Sequence, residues 1–222
     1  GNSKKVYEYD PSSGKITEKA PLLFNRAGSA ALAYDNRIYV SGGEDTLSAK
    51  TFEVYNPLDN SWTQLPAMKY GRSSHCMAAM GSKIYSFGGT ENSIIVEEYD
   101  INQNKWSTLS NAPVAINSLT SAALDNKIYV SSKSKDMGTD LWEYDTSTYN
   151  WTKKEMTAIV RDDIRIFNTK NKLYIAGKSD KVNYTAIAEY TFGTAPSTTP
   201  APSSAFPTPT GINQSGKTIS GK

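Results

Sequence analysis

Cysteine and histidine are nearly missing: the 222 residues hold one of each, Cys76 and His75. A single cysteine excludes an internal disulfide and any cysteine-rich zinc site. A single histidine excludes a multi-histidine metal centre, so no cofactor is expected. Long apolar runs are also missing. None approaches the roughly 20 residues that a membrane helix needs, and no membrane span is expected. The first 30 residues carry no basic flank followed by an apolar core, so no signal peptide is read there. Charge of one sign is not in excess: Lys and Arg number 24 and Asp and Glu 22. The two surplus lysines, Lys217 and Lys222, stand in a stretch without acids, which leaves residues 1–192 balanced. Nucleic-acid binders gather a basic excess on one face, and no nucleic-acid partner is expected. Sustained 3.6-residue periodicity is lacking as well, so helices should be scarce.

What the sequence does have is a repeat. Tyrosines followed by Asp, Asn or Thr fall at Tyr9, Tyr55, Tyr99, Tyr144 and Tyr190, spaced 46, 44, 45 and 46 residues apart. Seven residues after the middle three stand Trp62, Trp106 and Trp151; Ile16 takes that place in the first repeat. A second series is Ile38-Tyr39-Val40, Ile84-Tyr85-Ser86, Ile128-Tyr129-Val130 and Leu173-Tyr174-Ile175. Two interlocked series of one period mark a repeat architecture. In residues 27–66 the unit reads as four short strands: Ala27–Tyr34, Arg37–Val40, Thr51–Tyr55 and Trp62–Leu65. Asp35-Asn36 and Asn56-Pro57-Leu58-Asp59-Asn60 supply turns. Gly14, Asn60 and Asn104 occupy equivalent places where the backbone needs positive φ. Tyr149 breaks that rule, so its turn is expected to differ in shape. The Ile-Tyr-Val strands are apolar at consecutive positions, which implies burial on both faces. Sheets stacked side by side around an axis provide this, and that arrangement is a propeller.

At these residues the chain resembles the kelch repeat family, whose unit is a glycine pair after an apolar strand, then a tyrosine, then a tryptophan. Gly42-Gly43, Tyr55 and Trp62 fit, as do Gly88-Gly89, Tyr99 and Trp106. The next repeat keeps Tyr144 and Trp151 but has Ser132-Lys133 in place of the glycines; the last has Gly177-Lys178 and no tryptophan. The resemblance spans residues 4–192 and implies an all-β fold, part of a kelch-type β-propeller. Residues 4–20 supply the last two strands of a blade, three full repeats follow at 27–66, 73–110 and 118–155, and residues 163–192 supply three strands more. This makes about four blades where kelch rings have six or seven. An open ring exposes strand edges and apolar faces, so a second polypeptide or missing segment is expected to complete it.

The domain division expected is 1–192 for the blades and 193–210 for a linker rich in Thr, Pro and Ser. Residues 211–222 form a polar tail or the start of a further module. Such linkers are common in secreted proteins of several modules, so an extracellular or cell-surface setting is expected, with a cytoplasmic one as the alternative.

Arg26, Arg72 and Arg161 each lie 13 residues before an inner tyrosine (Tyr39, Tyr85 and Tyr174), on the loop entering the innermost strand; the remaining repeat has Ile116 there, beside Asn117. Several guanidinium groups around a channel mouth would bind carboxylates bidentately. In kelch adaptors, arginines resembling these bind acidic peptides. The competing role is structural: each arginine ties down its own loop by bonding backbone carbonyls. Asn25, Tyr70 and Asp162 neighbour the arginines and complete the candidate ligand-binding set with Asn117. The loops 44–50, 90–93, 133–140 and 179–183 flank it. His75 is expected to be a hydrogen-bonded structural residue and Cys76 a buried, inert thiol.

The resemblance carries three functions. The first is a non-catalytic recognition or scaffold propeller binding a protein or glycan at the channel-mouth loops. The second is an enzyme acting on sugars. An oxidase-like centre needs two histidines with a Tyr–Cys pair, which His75 alone does not supply. A sialic-acid epimerase-like site would use Asp162 or Asp163 with Arg161. The third is an intracellular adaptor for protein degradation.

Overall fold

The computed structural model describes residues 2–90, 94–116, 120–133, 139–155, 162–169, 172–178 and 185–190. Its first compact unit ends at Thr191. The linker 193–210 and the tail 211–222 lie outside the described residues. Among the described residues every element is a strand, and each named strand pairs antiparallel with its neighbours in sequence.

The chain opens with a two-stranded sheet, β1 (Val6–Asp10) and β2 (Lys15–Lys19). Three four-stranded meanders follow. The first is β3 (Ala30–Tyr34), β4 (Arg37–Ser41), β5 (Phe52–Asn56) and β6 (Ser61–Leu65). The second is β7 (Cys76–Met80), β8 (Lys83–Phe87), β9 (Val96–Asp100) and β10 (Lys105–Thr108). The third is β11 (Ser121–Leu124), β12 (Lys127–Lys133), β13 (Thr139–Asp145) and β14 (Trp151–Lys154). A three-stranded sheet ends the unit: β15 (Asp162–Thr169), β16 (Lys172–Lys178) and β17 (Thr185–Tyr190). Each sheet is a blade, and the innermost strands β3, β7, β11 and β15 neighbour one another in turn. No sheet closes on itself among the described residues.

The period of the sequence is the period of the packing. Tyr39, Phe52 and Val54 of the first full blade share a buried cluster with Met77, Ile84 and Tyr99 of the second. Tyr85, Phe87 and Val96 of the second meet Ile128, Val130 and Tyr144 of the third. Tyr129 and Leu141 of the third meet Ile164, Ile166, Leu173 and Ile175 of the last. The repeated Tyr and Trp pack edge-on against a phenylalanine of the preceding blade. Phe52 lies 5.0 Å from Tyr99 and 5.1 Å from Trp106, and Phe87 lies 5.5 Å from Tyr144 and 5.7 Å from Trp151. This edge-to-face geometry suits the ring quadrupole. It also explains why the inner strands are apolar at consecutive positions: both faces are covered.

The glycine pair joins blades rather than merely ending a strand. Gly43 N donates to Arg72 O at 3.0 Å and Gly89 N to Ile116 O at 3.1 Å. A Cβ on Gly42 or Gly88 would collide with those same carbonyls, and both glycines have positive φ. The turns also recur. Gly14, Asn60 and Asn104 have φ of 68°, 53° and 53°. Tyr149 has φ of 60°, and its N–H bonds Asp145 O at 2.8 Å just as Gly14 N bonds Asp10 O at 2.8 Å. The expectation of a different turn shape is therefore corrected. The repeat imposes the same backbone, and Tyr149 adopts a conformation that bulky side chains rarely take.

Candidate binding site

Arg26 lies between β2 and β3, on a stretch that pairs with the N-terminal segment through Ser3. Its guanidinium is buried against β5. Nε donates to Glu53 Oε1 at 2.8 Å, Nη2 to Thr51 Oγ1 at 2.8 Å, and Nη1 to the carbonyls of Gly42 and Ser48. The second oxygen of Glu53 accepts the backbone N–H of Leu23 at 2.8 Å. Arg72 repeats the arrangement. Nη2 donates to Glu97 Oε2 at 2.6 Å, Nη1 to Gly88 O at 2.7 Å and to Ile95 O at 3.2 Å, and Glu97 Oε1 accepts the N–H of Lys69 at 2.8 Å. Each carboxylate thus holds an arginine and the backbone three residues before it. The result is a clamp that fastens the entry loop to the third strand and to the glycine turn. Burial draws both guanidinium pKa values down from their ordinary value, and the paired glutamates oppose it.

All three guanidinium nitrogens of Arg26 and the two terminal nitrogens of Arg72 are therefore engaged within the blades, Arg72 Nε is buried without a hydrogen-bond partner among the described residues, and neither guanidinium faces solvent. This is the loop-anchoring arrangement. The third full blade shows its apolar counterpart: Ile116 stands for the arginine, Trp142 for the glutamate and Ser132 for the first glycine. Trp142 Nε1 donates to Ser132 Oγ at 3.1 Å. Glu53 and Glu97 were not singled out in the sequence, although the signal was present. Each lies two residues before a repeat tyrosine, directly after the apolar residue that opens its strand (Phe52 or Val96). Acid and arginine also disappear together in the Ile116 blade.

Asn25 is exposed beside Arg26, and Tyr70 is half-buried with Lys69 Nζ 5.3 Å from its ring centre. The loop after Gly43 links these two stretches: Met68 N donates to Lys50 O and Arg72 N to Ala49 O, both at 2.9 Å. Asn117 and Arg161 lie outside the described residues. Asp162 opens β15 with its backbone opposite Lys178; its side chain is outside the description. The side chains left at the surface of this face include apolar ones. Leu47 is 77% exposed on the loop after Gly43, with Leu23 and Ile94 also exposed on neighbouring loops.

His75 is fully buried between the first two full blades, with Nε2 2.8 Å from Ser41 Oγ. Burial, with Arg72 and Arg26 nearby, pushes its pKa down to about 3, so it is neutral. Cys76 is a buried thiol pushed up to about 12 by desolvation. Among the described residues no group of three or more His, Cys, Asp or Glu could hold a metal ion, and no helix is long and apolar enough to cross a membrane.

The chain matches a family model described as the KLHDC2/KLHL20/DRC7 Kelch-repeats domain over residues 28–215. It is 28% identical over 193 residues to Kelch-like protein 25 of Xenopus tropicalis, which covers 80% of this chain and 33% of that protein. It is 30% identical over 171 residues to Kelch repeat and BTB domain-containing protein 2 of Horsepox virus, covering 66% of this chain and 31% of that protein. The chain thus spans about a third of the length of these curated relatives. Among solved structures it is similar to YjhT with a TM-score of 0.61 at 17% identity, over 79% of this chain and 67% of that one; this shows the fold.

Proposed function

The chain belongs to the kelch-repeat family, and from that premise we propose that it is a non-catalytic protein-interaction module of the adaptor kind. The partner is a protein that docks on the face formed by the loops entering the innermost strands. One observation carries this reading. The two Arg–Glu clamps fix the loop backbones and leave Leu23, Leu47 and Tyr70 on a rigid, mixed apolar and polar surface. Interface cores favour such aromatic and aliphatic anchors on preorganised elements. Recognition of acidic peptides by Arg26 and Arg72 is not part of the proposal, because both arginines already have carboxylate partners. A glycan ligand has no comparable support. An extracellular setting finds no support in the relatives, and a cytoplasmic one is proposed instead.

A further polypeptide is proposed to complete the ring. The exposed aromatic residues of β1 at one end of the blade series support this. Sedimentation of the purified chain alone and with a candidate partner tests it: the complex should form a single larger particle.

The docking face is tested by paired variants. Leu47→Asp and Tyr70→Asp should each weaken capture of a cross-linked protein partner at least about tenfold. Leu58→Asp, on the turn at the opposite end of β5, should leave capture unchanged. Equal loss from all three would remove the loop face as the docking site. Sugar turnover by the completed propeller would remove the non-catalytic reading.

A further inference from the structure

The third full blade departs from the two before it at the polar ends of its repeat aromatics. In the first, Tyr55 OH donates to Asn60 Oδ1 at 2.8 Å, the same oxygen accepts Ala20 N at 2.9 Å, and Ala20 O accepts Trp62 Nε1 at 2.9 Å. In the second, Tyr99 OH donates to Asn104 Oδ1 at 2.6 Å and Trp106 Nε1 to Pro66 O at 2.9 Å. In the third, Tyr144 OH and Trp151 Nε1 are both buried and meet no acceptor among the described residues. The rings have not moved apart. Tyr144 and Trp151 lie 4.7 Å centre to centre, against 5.1 Å for Tyr55 and Trp62 and 5.3 Å for Tyr99 and Trp106.

The blade they face supplies a third group. Val54 of the first full blade shares a buried cluster with Tyr99 of the second. The counterpart of Val54 in the second blade is Glu98: it lies opposite Tyr85 as Val54 lies opposite Tyr39. Tyr85 in turn shares a buried cluster with Tyr144, so Glu98 stands on the face that meets the third blade. Glu98 is 6% exposed. Its Oε1 accepts Lys83 Nζ at 2.6 Å, while Oε2 is buried without a partner among the described residues. Burial, and after it this carboxylate, pushes the Tyr144 hydroxyl pKa up. Two replacements thus fall in one joint. Tyr149 in place of Asn104 takes an acceptor away, and Glu98 in place of Val54 brings one that does not touch the hydroxyl.

We infer that the joint between the second and third full blades is a binding site for one ordered water, which accepts from Tyr144 OH and Trp151 Nε1 and donates to Glu98 Oε2. The unpartnered atoms are complementary to it: two donors and one acceptor. A buried water makes about three hydrogen bonds of this kind. Left unbonded, a buried hydroxyl, an indole N–H and a carboxylate oxygen would each cost a desolvation penalty that the fold has no means to recover. The joint before it needs no such water, because Asn104 and Pro66 take the two donors directly and Val54 adds no acceptor. The water is therefore a structural ligand of one joint, fixed by the pair Glu98 and Tyr149, and not a property of the repeat.

Magnetisation transfer from water to the indole protons, measured by NMR on the full chain, reads the site. The chain has four tryptophans, Trp62, Trp106, Trp142 and Trp151, so each indole signal can be assigned by substitution. Trp151 should show transfer from a long-lived water, and Trp62 and Trp106 should show none. Glu98→Val combined with Tyr149→Asn rebuilds the preceding joint and should remove the transfer at Trp151. Stability gives a second readout. Tyr144→Phe should raise the unfolding constant about fivefold, because a bonded hydroxyl is lost. A hydroxyl without a partner would be neutral or favourable to remove. No transfer at Trp151 overturns the inference. So does transfer that persists in the double variant, which would place the water elsewhere. A Tyr144→Phe chain at least as stable as the wild type overturns it as well.

Discussion

Arg72 and Glu97 form an ion pair of 2.6 Å in which neither side chain reaches solvent, and the second carboxylate oxygen takes the backbone N–H of Lys69. Such a pair costs much to desolvate, and removing one partner leaves a buried charge unmatched. Arg72→Met should therefore destabilise the chain by about 3–5 kcal/mol, read from the urea midpoint. Arg72→Ile combined with Glu97→Trp copies the solution present at Ile116 and Trp142. It should cost less than the sum of the two single changes, giving a coupling energy of about 0.5–3 kcal/mol in a double-mutant cycle. Strict additivity would show that the two groups do not act as a clamp.

The glycine pairs make a second prediction that separates two costs. Gly81 and Gly88 have φ of 59° and 65°, but only Gly88 faces the next blade, against the Ile116 carbonyl; a Cβ on Gly81 meets nothing within 4 Å. Gly81→Ala should cost about 1–2 kcal/mol, the left-handed backbone alone. Gly88→Ala adds a collision with fixed backbone and should cost at least about 3 kcal/mol in all. Similar losses at both sites, measured by denaturant unfolding, would mean that the blades shift apart without penalty.

The fold was legible because the repeat writes each element several times. Ile-Tyr-Val and Asp-Asn mark β4 and the turn at Asp35-Asn36, and the Tyr and Trp spacing marks the repeat period. The site was less legible. Arg26 and Arg72 stand at a once-per-blade position, which a ligand-binding and a loop-holding arginine share. Only the partner decides between them, and Glu53 and Glu97 are 27 and 25 residues away on another strand. Contacts across a sheet depend on register, which single positions do not reveal. Tyr149 misled for a related reason. Residue preference for positive φ is worth little against a turn fixed by both flanking strands.

Tyr149 also leaves a defect that substitution can repair. Asn60 and Asn104 accept the hydroxyls of Tyr55 at 2.8 Å and Tyr99 at 2.6 Å. At the equivalent place Tyr149 offers no such acceptor, and the buried Tyr144 hydroxyl has no hydrogen-bond partner among the described residues. Tyr149→Asn supplies an acceptor and suits the left-handed backbone. The chain should gain about 1 kcal/mol of stability, seen as a higher urea midpoint with an unchanged slope. A loss would show that the ring contact of Tyr149 with Tyr144, 6.4 Å between centroids, outweighs the missing bond.

Acid should loosen the joint between the first two full blades through His75. Its ring is buried against Ser41, and Arg72 and Arg26 lie on the elements packed around it, so the folded state holds it neutral, with a pKa of about 3. In the unfolded chain it titrates near 6.5. The unfolded state therefore binds the proton first. The contribution of His75 is complete above about pH 6.5 and falls as pH is lowered toward about 3. Between pH 6.5 and 5, above the ordinary carboxylate range, the loss should be on the order of 2 kcal/mol. His75→Gln keeps a polar partner for Ser41 and removes the titration, so its stability should be level over that interval. A wild-type profile equally level would mean that the imidazole gains its proton without leaving its place between the blades.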